Sequence, residues 1–497
     1  MRTCPRILLA ALTLSALLTC SSAAATHVMS PQAAPTVTPI KHVVVIFDEN
    51  ISFDHYFGSY PNAANPPDEP SFYPRPNTPT VNGFNRTILQ NNPSGVTPFR
   101  LDRSQNMTCD NDNAYTAEQM AYHGGLMDKF VLLSATGNGC LENLNFGYYD
   151  GNTVTALWNY AQYFTLNDNF FAPTFGTTVM GHLNLVAGQT HGATPGTIAG
   201  KVANGTVIGE VNPTDDDCSS GASVVMSGPS IGDLLNASGI TWGWFYGDWT
   251  PIGIDQGKAV CTSGYDGHYA PFQYYASTAN PHHLPPTSIG MVGQSDRANH
   301  QYDLTDFWAA VANGNMPAVT FLKAPHNSNG HPQTSSPLAE QTFLVNTINQ
   351  LQQTPEWPQM AILITWDDSD GWYDHVMPPI VNQSNDPMND ALLGPELCGT
   401  AGQGAYLDRC GYGPRLPFLV LSPFAKKNFV NHELQDMTSI TRFIEDNWGL
   451  GQIGDQSFDA EAGSILGAFD FGHPPMTQPL ILDPNTGEIV SGGRRSN

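Results

Sequence analysis

The sequence predicts an α/β protein, a central mixed or parallel sheet flanked by helices with large loop-rich insertions. Three observations carry this expectation. Short apolar runs rich in Val, Ile and Phe recur at HVVVIF (42–47), MPAVTFL (316–322), MAILITW (360–366) and PFLVLSPF (417–424), each reading as a buried strand. Amphipathic helical patterns lie between and after them, the alternation that covers both faces of a sheet. The remainder is loop-rich, with 47 Gly and 39 Pro among 497 residues.

TAEQMAYHGG (116–125) reads as a helix opened by a Thr116/Gln119 capping box. FGTT (175–178) reads as a loop feeding a helix over VMGHLNLVAG, which sets Thr177 or Thr178 at a helix N-terminus, where free N–H groups and the dipole favour an anion. In SPLAEQTFLVNTINQLQ (336–352), Ser precedes Pro at the first helical position, and Leu344, Val345, Ile348 and Leu351 share a face. DMTSITRFIEDNWGLG (436–451) groups Met437, Ile440, Ile444 and Trp448, with Gly449 as its stop. Residues 61–98 are dense in Pro and Asn. Residues from about 200 to 300, with ITWGWFYGDW at their centre, read as an insertion in the sheet domain.

The chain opens as an export leader: Arg2 and Arg6, the apolar run Ile7 to Leu18, then Ala23, Ala24 and Ala25. Residues 1–25 are therefore expected as a signal peptide, 26–497 as a single catalytic domain with the insertion at about 200–300, and the location as secreted or periplasmic. No later stretch has the roughly 18 apolar residues of a membrane helix. Beyond the leader remain Cys109, Cys140, Cys218, Cys261, Cys398 and Cys410. Six cysteines allow 15 pairings; local closure around the Gly-rich loop between Cys398 and Cys410 leads us to expect consecutive pairs.

Formal charge is −25, and −27 once Arg2 and Arg6 are lost with the leader. No basic stripe is present to follow a nucleic-acid backbone, so a nucleic-acid partner is not expected. Anionic substrates are repelled at long range. Chemistry on a phosphate ester would need a local positive centre, such as a metal, a helix N-terminus or protonated histidines.

In α/β sheets ligands bind beyond the carboxyl ends of strands. Glu49 and Asn50 follow HVVVIF, DDSDGWYDH (367–375) follows MAILITW, and KAPHNSNGHP (323–332) follows MPAVTFL. Carboxylates, an amide and histidines at strand ends suit an oxygen-rich divalent cation site.

HVVVIFDENISFDHYFGSYP, MDKFV, FGTTVMGHLNLVAGQTHG, DDSDGWYDHV and GPRLPFLVLSPFAKK, in this order, resemble the secreted acid phosphatase and phospholipase C phosphoesterase family, from about His42 to Trp448. The resemblance implies an alkaline-phosphatase-like fold, one metal ion and a hydroxyl nucleophile that forms a phospho-enzyme. It places metal ligands at Glu49, Asn50, Asp367 and Asp368, and the nucleophile at Thr178. His331 falls on a histidine that contacts the phosphoryl group, and His282 and His283 on a histidine pair near the same site. Asn113 stands where the phosphatase branch has an active-site histidine; its amide can donate to phosphoryl oxygen but cannot act as a general acid. VMG replaces the family's T-P-G after the nucleophile.

The function expected is phosphomonoester hydrolysis through phospho-threonine, on a small phosphate ester. One divalent ion assists, Ca, Mg or Mn being favoured by the oxygen ligands, and Asn50, Thr178 and His331 hold phosphate. One of His331, His282 or His283 protonates the leaving group. Phospholipase C action on phosphodiesters is the alternative; the polar tail about 50 residues past Trp448 leads us to expect the phosphatase branch. A secreted binding protein of weak or no activity is the reading of another class, motivated by Asn113. Asp370, Asp374 and His375 read as turn or supporting residues, His182 as a packing residue of its helix, and Lys323 as a partner of an acidic neighbour or of phosphate.

Overall fold

Val43 to Asp48 form an unbroken buried run in the strand His42–Asp48, which only a strand covered on both faces accommodates. The structure, a computed structural model, describes residues 35–133, 140–382, 398 and 409–492. The expected leader lies outside the described residues.

Eight strands form the main sheet: β1 (His42–Asp48), β2 (Thr165–Asn167), β3 (Trp242–Tyr246), β4 (Gln301–Asp303), β5 (Val319–Lys323), β6 (Met360–Trp366), β7 (Phe418–Leu421) and β8 (Phe429–Asn431). Their order is β4-β3-β5-β1-β6-β7-β2-β8. β1 pairs in parallel with β5 and β6, and β3 in parallel with β4 and β5. β7 runs antiparallel to both its neighbours, and β8 is parallel to β2. The sheet is thus mixed, and the four apolar runs read as strands lie side by side at its centre.

The helices that position the site are α1 (Phe53–Phe57), α2 (Tyr115–Tyr122), α3 (Thr178–Ala187), α4 (Pro337–Leu351) and α5 (Thr438–Trp448). In α4, Ser336 accepts from Ala339 N–H at 3.2 Å, and Leu344, Val345, Ile348 and Leu351 are buried. Each such side chain contributes about 1.5–3 kcal/mol relative to exposure. α5 stops at Gly449, whose φ is +65°, a conformation glycine adopts without penalty.

Two expectations are corrected here. α2 begins at Tyr115 behind Ala114 and has no side-chain cap, so the Thr116/Gln119 box does not form. The stretch expected as an insertion at about 200–300 is also not wholly outside the sheet. Residues 193–226 carry a small three-stranded sheet, but Trp242–Tyr246 is β3 itself. The aromatic run ITWGWFYGDW carries a strand, as its composition predicts, but that strand is buried throughout and pairs on both edges within the main sheet. The cysteines pair consecutively, Cys109–Cys140, Cys218–Cys261 and Cys398–Cys410. Among the described residues no helix is long and apolar enough to cross a membrane.

Candidate active site

Parallel register brings the two acidic strand ends together. Asp48 of β1 faces Trp366 of β6, so Glu49–Asn50 and Asp367–Asp368 leave the sheet side by side. Asn50 N–H donates to Asp367 Oδ1 at 3.0 Å, and Ile51 N–H to the Asp368 carbonyl at 2.8 Å. Asn50 has φ +58° and Asp370 φ +53°, left-handed positions that Asn and Asp tolerate better than other side chains. The Asn50 amide donates to Asp370 Oδ1 at 3.2 Å, while its own side-chain oxygen is buried. Ser52, not Glu49 or Asn50, caps α1: its hydroxyl accepts from His55 N–H and donates to the Tyr373 carbonyl.

α3 delivers the hydroxyl. Thr177 is its N-cap residue, Thr178 its first residue, and Thr178 Oγ1 lies 3.4 Å from Asp368 Oδ2. Gly181 permits this approach, since a Cβ there would fall 2.2 Å from the Asp367 carbonyl oxygen. One turn past Thr178, His182 donates from Nδ1 to the Thr178 carbonyl at 2.9 Å. Its ring stands 3.9 Å from Glu49 Oε1 and 3.7 Å from Asp367 Oδ2. Lys323, at the end of β5, donates to Glu49 Oε1, with its ammonium 4.6 Å from the Tyr269 ring centre.

Glu49, Asn50, Asp367 and Asp368 are buried, and among the described residues Glu49 Oε2, Asn50 Oδ1 and Asp367 Oδ2 have no hydrogen-bond partner. Burial, then mutual repulsion with Asp367, pushes the Glu49 and Asp368 carboxyls well above the usual range. Burial also raises Asp367 against the pull of Lys323, and takes Asp48 up to about 8. Partnerless buried oxygens are rare in proteins, and several on adjacent carboxyls and an amide form the donor set of a hard divalent cation. Glu49, His182 and Asp367 bring ligand atoms within 4.8 Å of one another. The residues fit a metal.

Asn113 donates to Asp368 Oδ1 at 3.0 Å, so it belongs to this group but spends its amide on a carboxylate. His331 lies in the loop after β5, where the Asn329 carbonyl accepts from Glu49 N–H; its Nδ1 donates to the Pro332 carbonyl at 2.7 Å. The histidine pair is a correction. His282 is exposed and bound to Asp217 at 2.8 Å. His283 is buried, with its nitrogens on the Trp249 carbonyl and Asp216 and its ring stacked on Trp249 at 3.9 Å. Among the described residues neither touches Glu49, Asn50, Thr178, Asp367 or Asp368.

Sequence reasoning under-read three groups. His182 was placed only in packing, although its i, i+4 spacing from Thr178 was visible. Glu118 accepts from Gly176 N–H at 2.7 Å and from the Ser369 hydroxyl, tying the Thr178 loop to the β6 turn; no local pattern marked it. A third pair, Glu210 and His268, joins at 2.9 Å beside the start of α3. Asp54, by contrast, is structural: it bonds His375 at 2.6 Å and Arg415 at 3.0 Å, and Arg415 also reaches Asp374.

A model of the phosphoesterase family matches residues 40–451, a span that includes both acidic strand ends, Thr178 and His331. The chain belongs to the phosphoesterase family. Its members are phosphoric ester hydrolases. A non-hemolytic phospholipase C of Pseudomonas aeruginosa is 25% identical over 90% of this chain and 60% of its own length. Phospholipase C B of Mycobacterium tuberculosis is 24% identical over 90% of this chain and 81% of its own. This phosphoesterase therefore spans less than two thirds of the Pseudomonas protein. A solved alkaline phosphatase superfamily protein from Vibrio parahaemolyticus aligns with 75% of this chain and 72% of its own at 12% identity and a TM-score of 0.30, a likeness too slight to argue from.

Proposed function

We propose that this phosphoesterase is a secreted or periplasmic, metal-dependent hydrolase that attacks phosphorus with Thr178. The observation that carries the reading is the set of partnerless buried oxygens of Glu49, Asn50 and Asp367 beside the Thr178–Asp368 contact. Glu49, Asn50, Asp367 and Asp368 would hold one divalent ion. When bound, it supplies positive charge that lowers the pKa of a nearby hydroxyl and stabilises phosphoryl oxygens. Asp368 orients the Thr178 hydroxyl, and the start of α3 offers N–H groups to an incoming anion. Lys323 fixes Glu49, while His331 stands on the neighbouring loop to meet a phosphoryl oxygen. Most of the rate then comes from positioning and electrostatics.

Phospholipase C-type cleavage of phosphodiesters is the reading the relatives favour, and it supersedes the expected monoesterase as first choice. The shared E-N-x-S-F-D and D-D-x-D-G elements support phosphomonoester hydrolysis as the second. Three disulfides support the oxidising compartment.

Thr178→Ala tests the nucleophile. Turnover of p-nitrophenyl phosphorylcholine and of p-nitrophenyl phosphate should fall to background while elemental analysis still finds the divalent ion. Retained turnover would exclude Thr178. The ratio of the two wild-type rates decides between diester and monoester.

A further inference from the structure

The leaving oxygen needs a proton. Of the histidines expected to give it, His282 and His283 pair with Asp217 and Asp216, and His331, whose Nδ1 is on the Pro332 carbonyl, stands as the rival donor in the test below. A different pair stands at the start of α3. His268 directs Nδ1 to Glu210 Oε2 at 2.9 Å and to Asp266 Oδ1 at 3.3 Å, while its buried Nε2 has no partner among the described residues. Glu210 lies against the Thr177 hydroxyl and the Val179 N–H, one residue either side of Thr178, although neither contact is a well-aligned hydrogen bond. Residues 267–269 pack on α3, and Tyr269 lies over His182 and Lys323.

We propose that His268, oriented by Glu210, is the general acid that protonates the leaving oxygen. This rests on Thr178 being the nucleophile. The 2.9 Å ion pair of Nδ1 with Glu210 Oε2 sets that nitrogen against the carboxylate and leaves Nε2, the other ring nitrogen, as the donor, the pairing by which a carboxylate fixes a catalytic imidazole. Burial alone would lower the His268 pKa, but Glu210 and Asp266 outweigh it and the opposing charge of Lys201, and raise it; His182 is the other titratable group it faces. In the first step Thr178 Oγ1 releases its proton to solvent and bonds phosphorus. The bond from phosphorus to the leaving oxygen breaks, and that oxygen takes the Nε2 proton. In the second, neutral His268 takes a proton from water as the water oxygen bonds phosphorus, and the freed Thr178 oxygen regains a proton from solvent.

General-acid loss is felt most by poor leaving groups, so the test compares two esters of the class that the wild type hydrolyses. These are p-nitrophenyl phosphorylcholine against a soluble short-chain phosphatidylcholine, or p-nitrophenyl phosphate against glycerol 2-phosphate. His268→Gln should lose about 10²–10⁴-fold on the alkyl ester and less than about tenfold on the nitrophenyl ester, with the melting temperature monitored. Glu210→Gln should move the alkaline fall of kcat to lower pH, because the charge that raises His268 is gone. Equal losses on both esters, an unmoved alkaline limb, or the leaving-group signature appearing in His331→Gln instead would overturn the assignment. A wild type that hydrolyses none of these esters would instead overturn the reading it rests on.

Discussion

Lys323 places an ammonium against the Glu49 carboxylate where both side chains are fully buried. Removing one member of a buried pair strands the other, at a cost of about 3–5 kcal/mol. Lys323→Met should therefore lose about that much stability in urea unfolding with a chelator present. A saturating divalent ion should restore much of it, because the ion becomes the partner of Glu49. Equal losses with and without the ion would mean that Glu49 does not take it. Single residues were legible in the sequence where chemistry is written in the residue type. Glu49, Asn50, Asp367 and Asp368 could be paired across more than 300 residues because both groups follow buried apolar strands and because their motifs resemble those of the phosphoesterase family. His268 could not be chosen over His282 and His283, since its value lies in Glu210, and the contact of residues 58 apart leaves no trace in either local stretch.

Among elements, α3 is the one on which the site depends. Gly181 lets the helix backbone meet the Asp367 carbonyl, and that approach holds Thr178 3.4 Å from Asp368. Gly181→Ala should push α3 away from β6, destabilising by about 1–3 kcal/mol through overpacking. The hydroxyl displacement, at roughly 1 Å, should cost about 10²-fold in kcat. A variant with wild-type kcat would show that the site tolerates the shift. Helix and strand positions were legible because period and composition agree: β6 is found at Met360–Trp366 as expected, and Gly188 ends α3 with φ +62°. Contacts between elements were not. Nothing in the run around Glu118 announces that it joins the Gly176 loop to Ser369, and Arg415 reads as an ordinary charge until it is seen between Asp54 and Asp374.

At the scale of the whole molecule, a chain of net charge −25 concentrates buried carboxyls at one sheet end, and this couples its stability to pH and to the cation. Burial, reinforced by Asp367, holds Asp48 up to about 8, and raises Glu49, Asp367 and Asp368 as well. Unfolded carboxyls titrate near about 4. Without a cation the native state therefore binds more protons than the unfolded chain, and its stability is full below about pH 4 with respect to these groups and declines as pH rises towards about 8. A divalent ion needs the deprotonated oxygens, so its binding grows stronger over the same interval. The melting temperature measured with a chelator should fall between pH 5 and pH 8, and the gap to the cation-saturated protein should widen. A gap that is constant or narrows with pH would place the cation on groups other than this cluster, and with it the positive centre that so acidic a protein requires to act on an anionic ester.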